Sequence, residues 1–356
     1  MTTAANSDST ASTSIPHRKL IRSWLVPIAS RNTALALSLV IFDFVLYALG
    51  LATTVLARNP VVQVLAGTAT GFVIGRLFIL GHDACHQSLT SHRLLNRWLG
   101  RLLFLPSLTP YSLWEVGHNV VHHGYTNLKG FDFVWEPRSL EAYRALPAWR
   151  RLQERVYRSG WAPWLYYLVE VWWARMLFPS RRYMPTRRPV FTRDGLLVCA
   201  YAAFWIGGLA WAAEATNQSI SWVLGVGFLL PFVFWNGMIG FVVYVHHTHP
   251  DVSWYEDKGL WAASQPFVST TVHLTFRSAV GRVLHHIMEH TAHHVDMSVP
   301  LYRLKRAQKL LERRLPGLIV VQRFSWRWYA DTARRCKLYD FKSRRWTDFA
   351  GRPTSD

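Results

Sequence analysis

Four apolar stretches, at about residues 33–57, 61–80, 195–213 and 220–245, organise this chain of 356 residues. Each is near the ~20 residues that a helix needs to cross a hydrocarbon layer about 30 Å thick. Arg58-Asn59-Pro60 separates the first two, and Glu214–Ser219 separates the last two. The pattern predicts two helical hairpins with very short outer turns. Two further apolar segments, Leu99–Leu113 and Trp161–Phe178, are interrupted by Pro106, Pro110 and Pro163. They read as interfacial or re-entrant pieces rather than full spans.

The charge pattern orients these hairpins. The outer turns carry one arginine between them, Arg58, whereas twelve arginines lie between 138 and 193 and more Arg and Lys follow 303. By the bias of basic residues toward the cytoplasm, both termini and the large central segment are expected on that side. The formal charge of +19, with 50% hydrophobic residues and 18 Trp, fits a polytopic membrane protein with a basic face. It does not fit a nucleic-acid-binding domain, because the basic residues lie between spans and form no single basic module. Residues 1–16 are rich in Ser, Thr and Ala and read as flexible. The expected division is a flexible basic start (1–30), a membrane domain (31–315) and a basic cytosolic tail (316–356). The absence of targeting elaboration points to a bacterial inner membrane.

Three histidine clusters fall on the same predicted side: His82/His86, His118/His122/His123 and His290/His293/His294. Positions i, i+3 and i+4 share a helix face, so each cluster is expected to present its rings together. Burying this many imidazoles without a common partner would be costly. A shared metal centre is the economical reading, and so many ligands exceed what one ion takes, which makes the count two metals. Catalytic zinc usually has three protein ligands, so iron is preferred. The three cysteines, Cys85, Cys199 and Cys336, form no CxxC and argue against iron–sulfur or structural zinc sites. A second helix running from 61 to 86 is roughly 39 Å long at ~1.5 Å per residue, so its histidines emerge just above the bilayer. The fold class expected is thus all-α and integral to the membrane, with four transmembrane helices under a cytosolic helical cap that carries the dimetal site.

Other residues call for both a functional and a plain reading. Asp83, Glu115, Asp132, Glu289 and Asp296 lie near the clusters and either orient imidazole N–H groups or form surface ion pairs. Asp43, Arg76 and Asn236 either line a substrate tunnel or pack the bundle. His17, His92 and His273 read as ordinary polar residues.

These motifs resemble the membrane fatty acid desaturase family, and within it the Δ12/ω-6-like acyl-lipid branch. The resemblance rests on the ordered triple Gly81–His86, Gly117–Thr126 (GHNVVHHGYT) and Glu289–His294, on His247-Thr-His-Pro250, and on the Pro300–Tyr302 continuation. It covers about residues 35–315. It implies a di-iron centre held by His82, His86, His118, His122, His123, His290, His293 and His294. A ninth ligand at the cytosolic end of the fourth span fits His247 best, with His246 and His249 close by. His286, one turn before His290, is a further candidate ligand or a group behind the ligands, and His285 adjoins it. The implied reaction is O₂-dependent desaturation of a fatty acyl chain on lipid, CoA or acyl carrier protein. Electrons would come from a ferredoxin-like or other electron-transfer protein, docked with membrane lipids or the acyl carrier on the basic stretches. A hydroxylase, an acetylenase or a carotenoid-type oxygenase shares the same site chemistry. From another class, a non-catalytic metal transporter or sensor would want its histidines spread through the membrane depth.

Overall fold

In the computed structural model, residues 15–184, 186–277 and 279–355 are described. The flexible start expected over residues 1–16 falls almost wholly outside them. Four helices are long and apolar enough to cross a membrane: Thr33–Leu56, Pro60–Cys85, Pro189–Ala215 and Ile220–His247. Their starts follow from local chemistry. Asn32 accepts from the Leu35 amide at 3.0 Å, and Asn59 accepts from the Val61 amide at 2.8 Å, ahead of Pro60 at the first helical position. Such caps satisfy amides that have no partner within the helix.

The second span is the axis of the bundle, with 67% of its apolar window buried against 22% for the first and third spans. Gly67, Gly71 and Gly75 recur every fourth residue along it and let the fourth span come close. A Cβ at Gly71 would sit 2.8 Å from the Pro231 carbonyl oxygen, and one at Gly75 would sit 2.7 Å from Cε of Met238. Small residues at this spacing are how helices approach closely where no hydrophobic force drives them together. The first and third spans leave Ile41, Phe42, Val45, Leu196 and Phe204 exposed, as helices that face lipid do.

Above the spans lies a cap of shorter helices. Arg93–Phe104 packs on the end of the second span, and Tyr111–Trp114 runs on into a wide π-type helix, Glu115–His122. Pro163–Tyr166, which lies against the fourth span where Gly240 leaves no room for a side chain, continues into a second wide helix, Tyr167–Leu177. A Cβ at Gly240 would be 2.6 Å from Cα of Trp164. The third histidine cluster is the helix His290–Val295, followed by Leu301–Arg314.

The structure is mostly helical, with two small strand pairings that the hydropathy pattern does not announce. Strand β1 (Val272–Thr275) pairs in parallel with β2 (Val320–Arg323), and β3 (Leu338–Asp340) pairs antiparallel with β4 (Arg345–Thr347). The segment after 315 therefore folds onto the cap. Tyr339 and Trp346 bury with Trp254, whose amide donates to the Tyr339 hydroxyl at 3.0 Å.

Candidate metal centre

The second span delivers His82 and ends at His86, and Asn119 ties the next cluster to it by donating to the Cys85 carbonyl at 3.0 Å. His247 closes the fourth span. The third helix is fixed from behind. Its Ala292 amide donates to the buried Gln308 at 2.8 Å, and Arg18 donates to the His294 carbonyl at 2.9 Å.

Nine histidines from these four elements converge as two groups that could each hold a metal ion: His82, His86, His118, His123 and His293, and His122, His247, His290 and His294. All nine are buried. Neighbouring Nε2 atoms stand 2.8 Å apart for His82–His118, 3.1 Å for His118–His123, 3.0 Å for His123–His293 and 3.1 Å for His247–His290. Two nitrogens at right angles on one ion, each about 2.1 Å from it, would lie about 3.0 Å apart.

The donor chemistry fits a metal for a second reason. Nδ1 of His82, His86, His123, His247, His290 and His293 is buried without a hydrogen-bond partner, while the Nε2 atoms crowd together. Neutral imidazoles have one donor and one acceptor nitrogen, and this arrangement leaves lone pairs facing lone pairs. A shared cation resolves that conflict. Burial pushes the rings of His86, His118, His123, His290, His293 and His294 well below the ordinary histidine pKa, so they are neutral and able to ligate.

The π-type helix divides the second cluster in a way that α-helical spacing does not. Simple i, i+4 counting pairs His118 with His122. Here the amide of His123 reaches back to the His118 carbonyl at 3.0 Å, an i→i+5 bond, and the wider turn places His118 and His123 in one group. His122 faces the other group, although its ring still stacks on His118 with centroids 5.2 Å apart. Widened turns of this kind concentrate at functional sites.

Behind the rings, the carboxylates sort unequally. Asp132 accepts from Nδ1 of His122 at 2.9 Å and is itself anchored by the Asn127 and Val134 amides. Burial pushes the Asp132 carboxyl up, but the His122 ring and its hydrogen bond outweigh this and leave it below the usual carboxylate range. The other four make different bonds. Asp83 accepts from the Leu301 amide, Asp296 from Arg22, Glu289 from His286, and Glu115 sits 3.5 Å from the Tyr111 hydroxyl. Thr126 was not singled out from the sequence. Its hydroxyl donates to the His122 carbonyl at 2.8 Å and lies 3.2 Å from Nδ1 of His294, where its oxygen can accept that N–H. The signal was its position one helical turn after His122.

The remaining polar candidates are members of neither group. His286 bonds Glu289 at 3.0 Å, and His249 lies 3.3 Å from Gln322. His246 belongs to neither group but stacks on His290, with centroids 3.9 Å apart. Asp43 and Arg76 pair at 2.7 Å, and the second oxygen of Asp43 bonds His285 at 2.7 Å. Arg76 also donates to the Val283 carbonyl. Asn236 donates to the Phe232 carbonyl of its own helix. These three span residues pack the bundle rather than line the cavity.

That cavity is a narrow apolar slot of about 50 Å³ between the second and fourth spans and the wide helices. Phe78, Trp114, Tyr167, Trp235 and Met238 line it, together with His82, His118, His122, His247 and His290. Both histidine groups therefore face the same slot.

Residues 58–326 match the fatty acid desaturase family. The chain is 27% identical over 273 residues to the sn-1 oleoyl-lipid 12-desaturase of Synechocystis sp., covering 76% of this chain and 74% of that protein. It is 31% identical over 258 residues to the protein of the same name from Arthrospira platensis, covering 72% and 69%. It is 27% identical over 297 residues to the chloroplastic omega-6 fatty acid desaturase of Glycine max, covering 83% and 66%. The chain thus belongs to the fatty acid desaturase family and is an enzyme of fatty acid metabolism.

Proposed function

We propose that this protein is an O₂-dependent acyl-lipid desaturase that inserts a double bond at the 12 position of an oleoyl chain, using two irons. The observation that carries the reading is the apolar slot that members of both histidine groups line. The names of relatives, sn-1 oleoyl-lipid 12-desaturase, support this choice of substrate and position.

In this reading His82, His86, His118, His123 and His293 hold one iron, and His122, His247, His290 and His294 hold the other. Five and four imidazoles exceed or fill a tetrahedral shell and leave octahedral shells open, which supports iron over zinc. Bound iron supplies the capacity to reduce O₂ and so to oxidise an unactivated methylene, which acid–base side chains cannot do. The protein's own residues position and exclude. Phe78, Trp235 and Met238 line the slot with apolar surface that disfavours water, and Trp114 stacks on His118 with centroids 4.8 Å apart. Asp132 and Thr126 fix the rings of His122 and His294 so that Nε2 faces the centre. Overall, –CH₂–CH₂– gives up two hydrogens, O₂ becomes two waters, and two electrons and two protons come from outside.

The positive-inside bias supports a cytoplasmic cap and termini. The test is a fatty-acid profile, with double-bond positions, of cells expressing the wild type or His293→Ala under air. A diene that appears with the wild type and vanishes in the variant supports the reading. A hydroxylated or acetylenic product keeps the site and changes the reaction. No acyl change, despite two irons per chain and a working reductant, removes the fatty acyl substrate.

A further inference from the structure

The reading above requires two electrons per double bond, and the present inference rests on it. No electron carrier can touch the nine histidines directly, because all of them are buried. Packed atoms connect them to the surface beside His290. The ring of His246 lies nearly parallel to that of His290, at 16°, and its Nε2 meets the sulfur of Met288 at 3.2 Å. Met288 in turn lines the floor of a cleft of about 510 Å³. From cleft to ligand the route is one thioether and one stacked ring.

The rim of this cleft is basic and its cations are free. Arg277 and Arg282 stand on one side, and Lys305 and Lys309 of the helix Leu301–Arg314 stand on the other; all four are exposed. Lys305, Lys309 and Arg313 repeat every fourth residue and so form one row. The carboxylates in the cleft are already engaged, Glu312 with His273 at 2.5 Å and Glu289 with His286 at 3.0 Å. Among the described residues the four rim cations form no ion pair. In the arginine-rich stretch between 138 and 193, Arg138, Arg150, Arg158 and Arg175 are paired with Glu154 and Glu170, and among the described residues no stacked-ring route leads from the exposed arginines there to the histidines. A concave surface with unneutralised cations attracts an acidic protein and repels metal ions.

We propose that the cleft between residues 277–289 and the helix Leu301–Arg314 is the docking surface for an acidic protein that carries one electron at a time. Each encounter oxidises the carrier by one electron and reduces the metal centre by one, and two encounters serve each double bond.

The test uses the purified, iron-loaded full chain in lipid nanodiscs with acyl-lipid substrate. It compares wild type, K305E/K309E, and R144E/R181E as a control on exposed cations elsewhere. A plant-type [2Fe–2S] ferredoxin is the protein donor, and reduced methyl viologen is a small donor that needs no docking. The K305E/K309E change should raise the KM for ferredoxin about tenfold or more and flatten its dependence on salt. Turnover with viologen and iron content should stay at wild-type levels, and R144E/R181E should behave as wild type. An unchanged ferredoxin KM in K305E/K309E overturns the assignment. Loss of binding to phosphatidylglycerol vesicles at that unchanged KM would make the rim a lipid contact instead. If the wild type turns over with neither donor, the desaturase reading itself fails and the docking surface falls with it.

Discussion

Asp132 accepts a 2.9 Å hydrogen bond from Nδ1 of His122, and among the described residues no other carboxylate hydrogen-bonds a ring of either histidine group. The two groups are thus unequally supported: Asp83 stands 3.9 Å from Nδ1 of His82, beyond hydrogen-bond reach, whereas Asp132 bonds His122 of the four-histidine group directly. Asp132→Asn should weaken metal binding in that group by about 10–100-fold, the usual cost of losing such a partner. Metal analysis of the purified variant should show close to one iron per chain in place of two. Two tightly held irons would show that the carboxylate has no hold on the group.

The wide helix Glu115–His122 is what separates His122 from His118 and His123. Deleting the exposed Val120 should return this helix to α-helical winding and turn its histidines out of register. The deletion should retain helical content by circular dichroism yet hold less than one iron per chain. Val120→Ala keeps the length and should hold two. Equal iron in both variants would mean that the winding does not set the ligand geometry.

Asp43 and Arg76 form a buried ion pair between the first two spans, with His285 on the second oxygen of Asp43. Arg76→Met leaves that carboxylate buried without its cation, at a cost of about 3–5 kcal/mol. Unfolding in detergent should report the loss. The double change D43N/R76M removes both charges and leaves an amide oxygen for His285, so it should recover most of the stability. A double variant as unstable as R76M would place the effect in packing.

Acid should act strongly on the metal-free protein. Burial holds His86, His118, His123, His290, His293 and His294 neutral in the fold, with pKa values well below the ordinary 6.5. The unfolded chain takes up protons below about pH 6.5 while the folded chain does not, so stability is full above that pH and falls beneath it. Each ring contributes up to about 1.4 kcal/mol per pH unit. The Tm of the metal-free protein should drop steeply between about pH 6.5 and 5.5, and bound metal should raise the whole curve without removing its slope. A Tm independent of pH there would contradict the buried, neutral state.

Gly75 and Met238 both line the slot and touch, so a Cβ on Gly75 would overlap the Met238 sulfur and displace the methionine side chain. Gly75→Ala should therefore shorten the space available to the acyl chain. One methylene in an apolar pocket is worth about 1–3 kcal/mol, so products should shift toward shorter chains several-fold or more. Chromatography of the product acids reads this directly, and an unchanged chain-length profile would show that Met238 yields elsewhere.

Much of this was legible in the residues. The spans followed from hydropathy because a helix that faces lipid has no other way to satisfy its backbone. Eight of the nine histidines could be picked out because their spacing and number have few other uses, and His247 was suggested only by the family resemblance. Their division into five and four was not legible, since counting at 3.6 residues per turn assumes the winding that Glu115–His122 abandons. Nor was the contact of His246 with Met288, which joins residues far apart in sequence through a turn built on two left-handed residues, His285 and His286. The pairing of Asp43 with Arg76 could be suspected from two charges in neighbouring spans, but their common partner His285 could not.

The parallel pairing of β1 with β2 bears on how the protein is made. Residues 276–319, the third histidine cluster included, form the connection between the two strands. Long connections are slow to close, because chain entropy is lost before the contacts form. On a ribosome, the pair cannot form until Arg323 has emerged, long after the fourth span has been delivered. A nascent chain halted before Val320 would hold every span and every ligating ring, yet lack the strand that closes the third cluster onto the rest. Iron acquisition would then be a late event, timed by the C-terminus rather than by insertion into the membrane.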